Sequence, residues 1–232
     1  MKSLCSLAML AAAATHLTGC TMHNHNHNRA DHANHHADVT PDPANGVVPM
    51  TPASPLVAVF RDINGSGVAG TIFFTPETVE GKQAVRIRGT VTGLDPNGKH
   101  GFHVHAYGDA TDLEMGSSAG VHFNPFGTEH VLGAAAHGHD HDPGQSQDHD
   151  QHAAAHPGDF PNLEADAAGT ATFDIVSKTL SLTTGPTAVV GRSLIIHEAE
   201  DVGTQPWGGA GGRIAVGIIG LADPNSIPAD AQ

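Results

Sequence analysis

The sequence predicts an all-β fold, a sandwich or barrel of eight short strands. Three observations carry this. Runs rich in Val, Ile, Thr and Phe partly alternate with polar residues, Gly, Pro and Asn punctuate the chain between them, and no 3.6-residue apolar stripe of useful length appears. In order, the runs are LVAVFRD (56–62), AGTIFFTPE (69–77), QAVRIRGTVTGL (83–94), GFHVH (101–105), GTATFDI (169–175), KTLSL (178–182), RSLIIHE (192–198) and RIAVGIIGLA (213–222). The whole chain has 232 residues. Once its biased segments are set aside, about 150 remain for a core, the size of one domain.

The segments outside the strands divide the chain further. Residues 1–20 begin with Lys2, run apolar from Leu4 to Leu17, and close on Leu17, Thr18, Gly19 and Cys20. A run of fourteen residues is too short to span a bilayer and suits a signal-peptide core. The ending LTGC resembles the lipobox of bacterial lipoproteins, which implies a lipid anchor at Cys20 and an extracytoplasmic, periplasmic protein on a bacterial membrane; ordinary secretion with cleavage among Ala11–Ala14 is the alternative. Residues 21–55 read as a tether, with six histidines from Thr21 to Asp38 and five prolines from Thr40 to Pro55. Such a stretch buries too little apolar surface to offset chain entropy. The domain itself is expected over 56–223, with a histidine-rich insertion at 131–155 and a C-terminal tail at 224–232.

Charge and composition narrow the chemistry. With 10 Lys and Arg against 24 Asp and Glu, the formal net charge is −14, which argues against a nucleic-acid partner held by phosphate contacts. The anomaly is 19 histidines beside two cysteines. Imidazole is the commonest protein metal ligand, so metal chemistry is the leading expectation. The tether and the insertion suit either metal collection or a solvated, low-complexity role.

Setting aside His16, the tether and the insertion leaves His100, His103, His105, His122, His130, His156 and His197. On a strand alternate side chains share a face, so His103 and His105 point one way while Phe102 and Val104 enter the core. His100 shares the parity of Phe102 and reads as a structural, hydrogen-bonded residue. HFNPFGTEH sets His122 and His130 on a loop, and AHPGDFPN offers His156 and Asp159 around a glycine turn. Three imidazoles with one carboxylate suit a closed tetrahedral zinc site. His103, His105, His122 and His197 make an all-imidazole set that suits copper.

Taken together, GFHVHAYGD, GVHFNPFGTEH, HPGDFPN, GRSLIIHEAED and GGAGGRIAVGIIG resemble the Cu/Zn superoxide dismutases of the bacterial secreted type, over about Leu56 to Ala222. The resemblance implies a Greek-key β-barrel with long metal-binding loops and dismutation of superoxide to O2 and hydrogen peroxide. It implies copper on His103, His105, His122 and His197, and zinc on His122, His130, His156 and Asp159, so that His122 is shared. It makes Asp201 the carboxylate linking a copper histidine to a zinc histidine, and it makes Arg213 and His122 the catalytic side chains beside the open copper face. A non-catalytic, membrane-anchored copper or zinc binding protein is the competing expectation, and oligomeric state stays open between monomer and homodimer. One departure stands out. The positions that carry the family's internal disulfide correspond to Gly116 and Val216, and neither is cysteine.

Overall fold

The computed structural model describes residues 50–133 and 155–229. The signal segment with Cys20, most of the tether and the histidines of the insertion lie outside the described residues. None of the described helices is long and apolar enough to cross a membrane.

Among the described residues nine strands form, in the order β1 (Leu56–Asp62), β2 (Ala69–Val79), β3 (Lys82–Thr92), β4 (Lys99–His100), β5 (Phe102–His105), β6 (Leu163–Glu164), β7 (Ala171–Ser177), β8 (Ser193–His197) and β9 (Arg213–Leu221). Seven make one antiparallel sheet, β5-β8-β9-β1-β2-β3-β7, and β4 pairs with β6 in a two-stranded ribbon. The chain therefore crosses the fold between β3 and β5 and again between β7 and β8, the hallmark of a Greek key. The ribbon joins the two sheet edges at one end. β4 runs into β5 through Gly101, and β6 turns back toward β7 with Asp166 N donating to Thr170 O at 2.8 Å. Phe102 of β5 meets Phe173 of β7 edge to face at 5.0 Å, with Phe160 5.2 Å from Phe102, so the edges also share one apolar core.

One expectation needs correcting. KTLSL (178–182) forms no strand, because Ser177 Oγ accepts from Thr179 N and Leu180 N and turns the chain. Leu180 and Leu182 nevertheless stay buried, and residues 181–182 meet 187–190 through irregular backbone bonds. The tail from 224 is partly structured: Asp223 caps a short 3-10 turn over Pro224–Ser226, and Ile227 is buried beside Ala222, Val57 and Phe73.

Candidate metal centre

β5 explains why the centre forms where it does. Phe102 and Val104 enter the core, while His103 and His105 face the other side, as period-two alternation requires. That other side is covered too, and all four residues are buried. β5 pairs with β8 along one edge, placing His103 opposite Ile195 and His105 opposite Ser193. The ladder with β9 shifts between Ile196 and His197, and His197 N donates to Gly101 O at 2.9 Å. His197 thereby lies over the face that carries His103.

The free edge of β5 receives two loop segments. Ala106 N donates to Val121 O and Phe123 N to Val104 O, both at 2.8 Å, which lays His122 beside His105. Val104 N donates to Gly158 O at 3.0 Å and Phe160 N to Phe102 O at 3.2 Å, which lays Asp159 beside His103. Residue 158 must be glycine, because a Cβ there would stand 2.5 Å from Val104 Cβ. Backbone pairing to one exposed strand edge thus delivers ligands from segments far apart in sequence.

The result is three overlapping groups of potential donor atoms, each within 4.8 Å of one another: His103, His105, His122 and His197; His122, His130, His156 and Asp159; and His103, His130 and Asp201. All are buried. The rings of His103 and His122 stand 4.2 Å apart, and those of His105 and His122 stand 4.9 Å apart. Asp201 Oδ2 lies 2.7 Å from His103 Nε2 and 2.8 Å from His130 Nε2, joining the first group to the second. Asp159 Oδ1 lies 3.1 Å from His122 Nδ1, while its Oδ2 lies 2.6 Å from His130 Nδ1 and 3.0 Å from His156 Nδ1. His100 joins none of these groups; it is buried with Nδ1 2.9 Å from His197 O.

The donor chemistry fits metal ions. Buried polar atoms are normally hydrogen-bonded, and an orphan calls for an explanation. Here His103 Nδ1, His105 Nε2, His122 Nε2 and His197 Nε2 are all buried without a hydrogen-bond partner. These are four lone pairs of the first group, one per ring. His130 Nδ1 and His156 Nδ1, also buried, lie against Asp159 Oδ2 at 2.6 and 3.0 Å.

Electrostatics favour neutral rings on one side and a charged pair on the other. Burial, reinforced by His122 and then Arg213, holds His105 well below its ordinary pKa. Burial lowers His122 to about 4 and His197 to about 3. These rings are therefore uncharged at neutral pH, and each keeps one nitrogen lone pair, as metal binding requires. For His130 burial opposes the charge, but hydrogen bonding to Asp159 and Asp201 outweighs it and raises the ring to about 9. Burial also opposes ionisation of Asp159 and Asp201, yet the bonds from their histidines prevail and hold both well below the usual carboxylate range.

Above the first group lies a cleft lined by His105, Val121, His122, Trp207 and Arg213, with the 204–211 turn along its rim. Arg213 is the one Lys or Arg among the described residues lining it. Two of its guanidinium nitrogens donate to Gly116 O and Gly120 O. Two residues that sequence reading missed hold this region. Asp112 accepts from Glu114 N, Met115 N and Ser117 N at 2.9 to 3.1 Å and also from Ser117 Oγ, which folds the turn that presents Gly116 O. These bonds lower its carboxyl to about 2. Gln205 clasps the peptide of His130. No sequence signal marks either one, since both roles depend on contacts made only after folding.

The positions of the absent disulfide are filled by packing. Val216 is buried with Ile63, Ala119 and Ile195, with Leu113 and Ala110 against them. Gly116 has φ 67°, and a Cβ there would come 2.7 Å from Ile63 Cδ1. Any side chain at 116 would be strained.

Comparison with known proteins points to one family. A family model described as copper/zinc superoxide dismutase matches residues 68–219. A curated relative from Brassica juncea, "Superoxide dismutase [Cu-Zn] 2", is 44% identical over 165 residues, covering 68% of this chain and 93% of its own length. Among solved structures, "Crystal Structure Analysis of the clock protein EA4" superposes with a TM-score of 0.57 at 31% identity, covering 76% of this chain and 99% of that one.

Proposed function

The chain belongs to the copper/zinc superoxide dismutase family, and from that premise we propose which of its residues do what. The protein is an enzyme that uses copper and zinc to convert superoxide into O2 and hydrogen peroxide. His103, His105, His122 and His197 hold the copper, and His122, His130, His156 and Asp159 hold the zinc. The observation that carries this assignment is the set of four unbonded ring nitrogens, one from each histidine of the first group. Copper supplies a reversible one-electron couple, and zinc supplies a redox-silent charge.

The chain's own groups do the rest. Arg213 receives the anion: two of its nitrogens are committed to backbone carbonyls, so the guanidinium is held still at the cleft. A fixed cation in a narrow cleft concentrates a small anion. His122 offers Nε2 toward the cleft group and Nδ1 toward Asp159. Were Nε2 free, it would take a proton from solvent in the cleft, and its place there would let it pass that proton to the product. Asp201 keeps the rings of His103 and His130 in one orientation, the role carboxylates commonly play behind metal-bound imidazoles.

Pulse radiolysis of the enzyme loaded with both metals tests this reading. Dismutation is expected, and Arg213→Ala is expected to slow it roughly ten-fold at low salt and to flatten its salt dependence. A steep salt dependence that survives in Arg213→Ala places the steering elsewhere. A loaded protein inert toward superoxide leaves metal storage as its role.

We also infer that the enzyme is of the bacterial lipoprotein type, anchored outside the cytoplasm through Cys20. The support is the apolar run from Leu4 to Leu17 and the LTGC that closes it. Two acyl chains add about 0.8 kcal/mol for each buried methylene, sufficient for lasting attachment. Expressed in bacteria with labelled fatty acid, the chain is expected to take up label and partition with membranes, whereas Cys20→Ser stays unlabelled and soluble. Equal partitioning of the two rejects the anchor.

A further inference from the structure

We propose that Gln205 is a positioning residue that ties the zinc side of the centre to the rim of the copper-side cleft. The proposal rests on the assignment of His130 to the zinc set. The Gln205 amide meets both backbone groups of His130, one on each side of its Cα: His130 N donates to Oε1 at 3.1 Å, and Nε2 donates to His130 O at 2.7 Å. A two-point contact fixes the orientation of the residue's backbone as well as its position, which one hydrogen bond does not. The His130 ring is held separately, between Asp159 Oδ2 and Asp201 Oδ2. Gln205 therefore controls the backbone from which the ring projects, while the carboxylates control the ring.

The other end of the tie is the turn carrying Gln205. Gly208 N donates to Thr204 O at 2.6 Å, and Val202 N donates to Gly208 O at 3.0 Å, which closes residues 204–208 into a compact unit. Trp207 sits on that unit, 54% exposed, and lines the same cleft as Gln205 and Arg213. A displacement of the His130 peptide on loss of zinc passes through the amide to this turn and so to the cleft rim. The amide is the one side chain here with both the donor and the acceptor that the contact uses. Glutamate lacks the donor, and methionine matches the length with neither.

Trp207 is the only tryptophan in the chain, so its emission reports on the rim. The test uses full-length enzyme loaded with copper and zinc and freed of loosely held metal. A chromogenic chelator withdraws zinc while absorbance counts the zinc released and Trp207 emission follows the rim. In the wild type an emission change is expected to keep step with release. Gln205→Met is expected to release zinc roughly ten-fold faster, the lower end of what supporting contacts to metal ligands are worth, and to lose the linked emission change. Gln205→Glu, with half the contact, is expected to fall between them, and the visible absorption of copper is expected to stay at the wild-type position in both. An emission change that survives in Gln205→Met overturns the proposal whatever the release rate. So does a wild-type enzyme with no linked change. If His130→Ala holds zinc as firmly as the wild type, the fault lies in the zinc assignment and not in Gln205.

Discussion

His122→Ala is expected to lower dismutation by roughly 10²- to 10⁴-fold, the range lost when a positioned proton donor is removed. The effect is large because one ring does several jobs. It lies beside His105 on the β5 edge, its Nε2 belongs to the cleft group, and its Nδ1 faces Asp159. Removing it takes a donor from both groups and leaves Asp159 with one fewer partner in a buried setting. Arg213→Ala, by contrast, is expected to act on capture of the anion and to loosen the loop whose Gly116 and Gly120 carbonyls it binds. The two variants separate on a simple criterion: His122→Ala loses rate at saturating superoxide, and Arg213→Ala loses it mainly at low concentration. A His122→Ala enzyme that keeps more than about a tenth of wild-type turnover contradicts the assignment of His122.

Stripping both metals is expected to lower the melting temperature by more than about 10 °C. A ligand present at 1,000 times its dissociation constant adds about 4 kcal/mol, and a chain of this size shifts by about 2 to 4 °C per kcal/mol. The expectation is sharpened by the missing cross-link. A disulfide in a small domain contributes about 2 to 4 kcal/mol, and this chain has cysteine only at positions 5 and 20. The 109–120 loop is fastened instead by Asp112, by the Arg213 bonds, and by the packing of Ile63, Ala119, Ile195 and Val216. Those contacts act only within the folded state, so they do not restrict the unfolded chain as a covalent link does. Metal-free protein also retains a set of buried ring nitrogens with no partner, each a desolvation cost that metal removes. Calorimetry with and without a strong chelator measures the difference, and a melting temperature that moves by less than about 2 °C contradicts it.

Much of this arrangement is legible in the amino-acid sequence, for physical reasons tied to particular residues. Strand alternation is local, so the opposed faces of Phe102 and His103 follow from four consecutive residues. Turn chemistry is also local, and HPGD implies a turn that aims His156 and Asp159 at one point. The features that stay hidden depend on tertiary partners. The run 178–182 has strand composition, yet the Ser177 hydroxyl captures the amides that a ladder would use. The two-residue strands β4 and β6 are too short to leave a pattern. Gln205 and His130 are 75 residues apart, and nothing in TQPW announces an amide clasp. The burial of His103 and His105 leaves no sequence trace either, because their cover comes from the loops around His122 and Asp159.

His122 belongs to both donor groups, so under the proposed assignments one imidazole would be shared by two different ions. Anomalous diffraction at the copper and zinc absorption edges, from crystals of the loaded enzyme, decides whether it is. Copper is expected on the Nε2 side of His122 with His103, His105 and His197, and zinc on the Nδ1 side with His130, His156 and Asp159. Two ions with wholly separate ligand sets, or His122 bound to one ion alone, would contradict that arrangement.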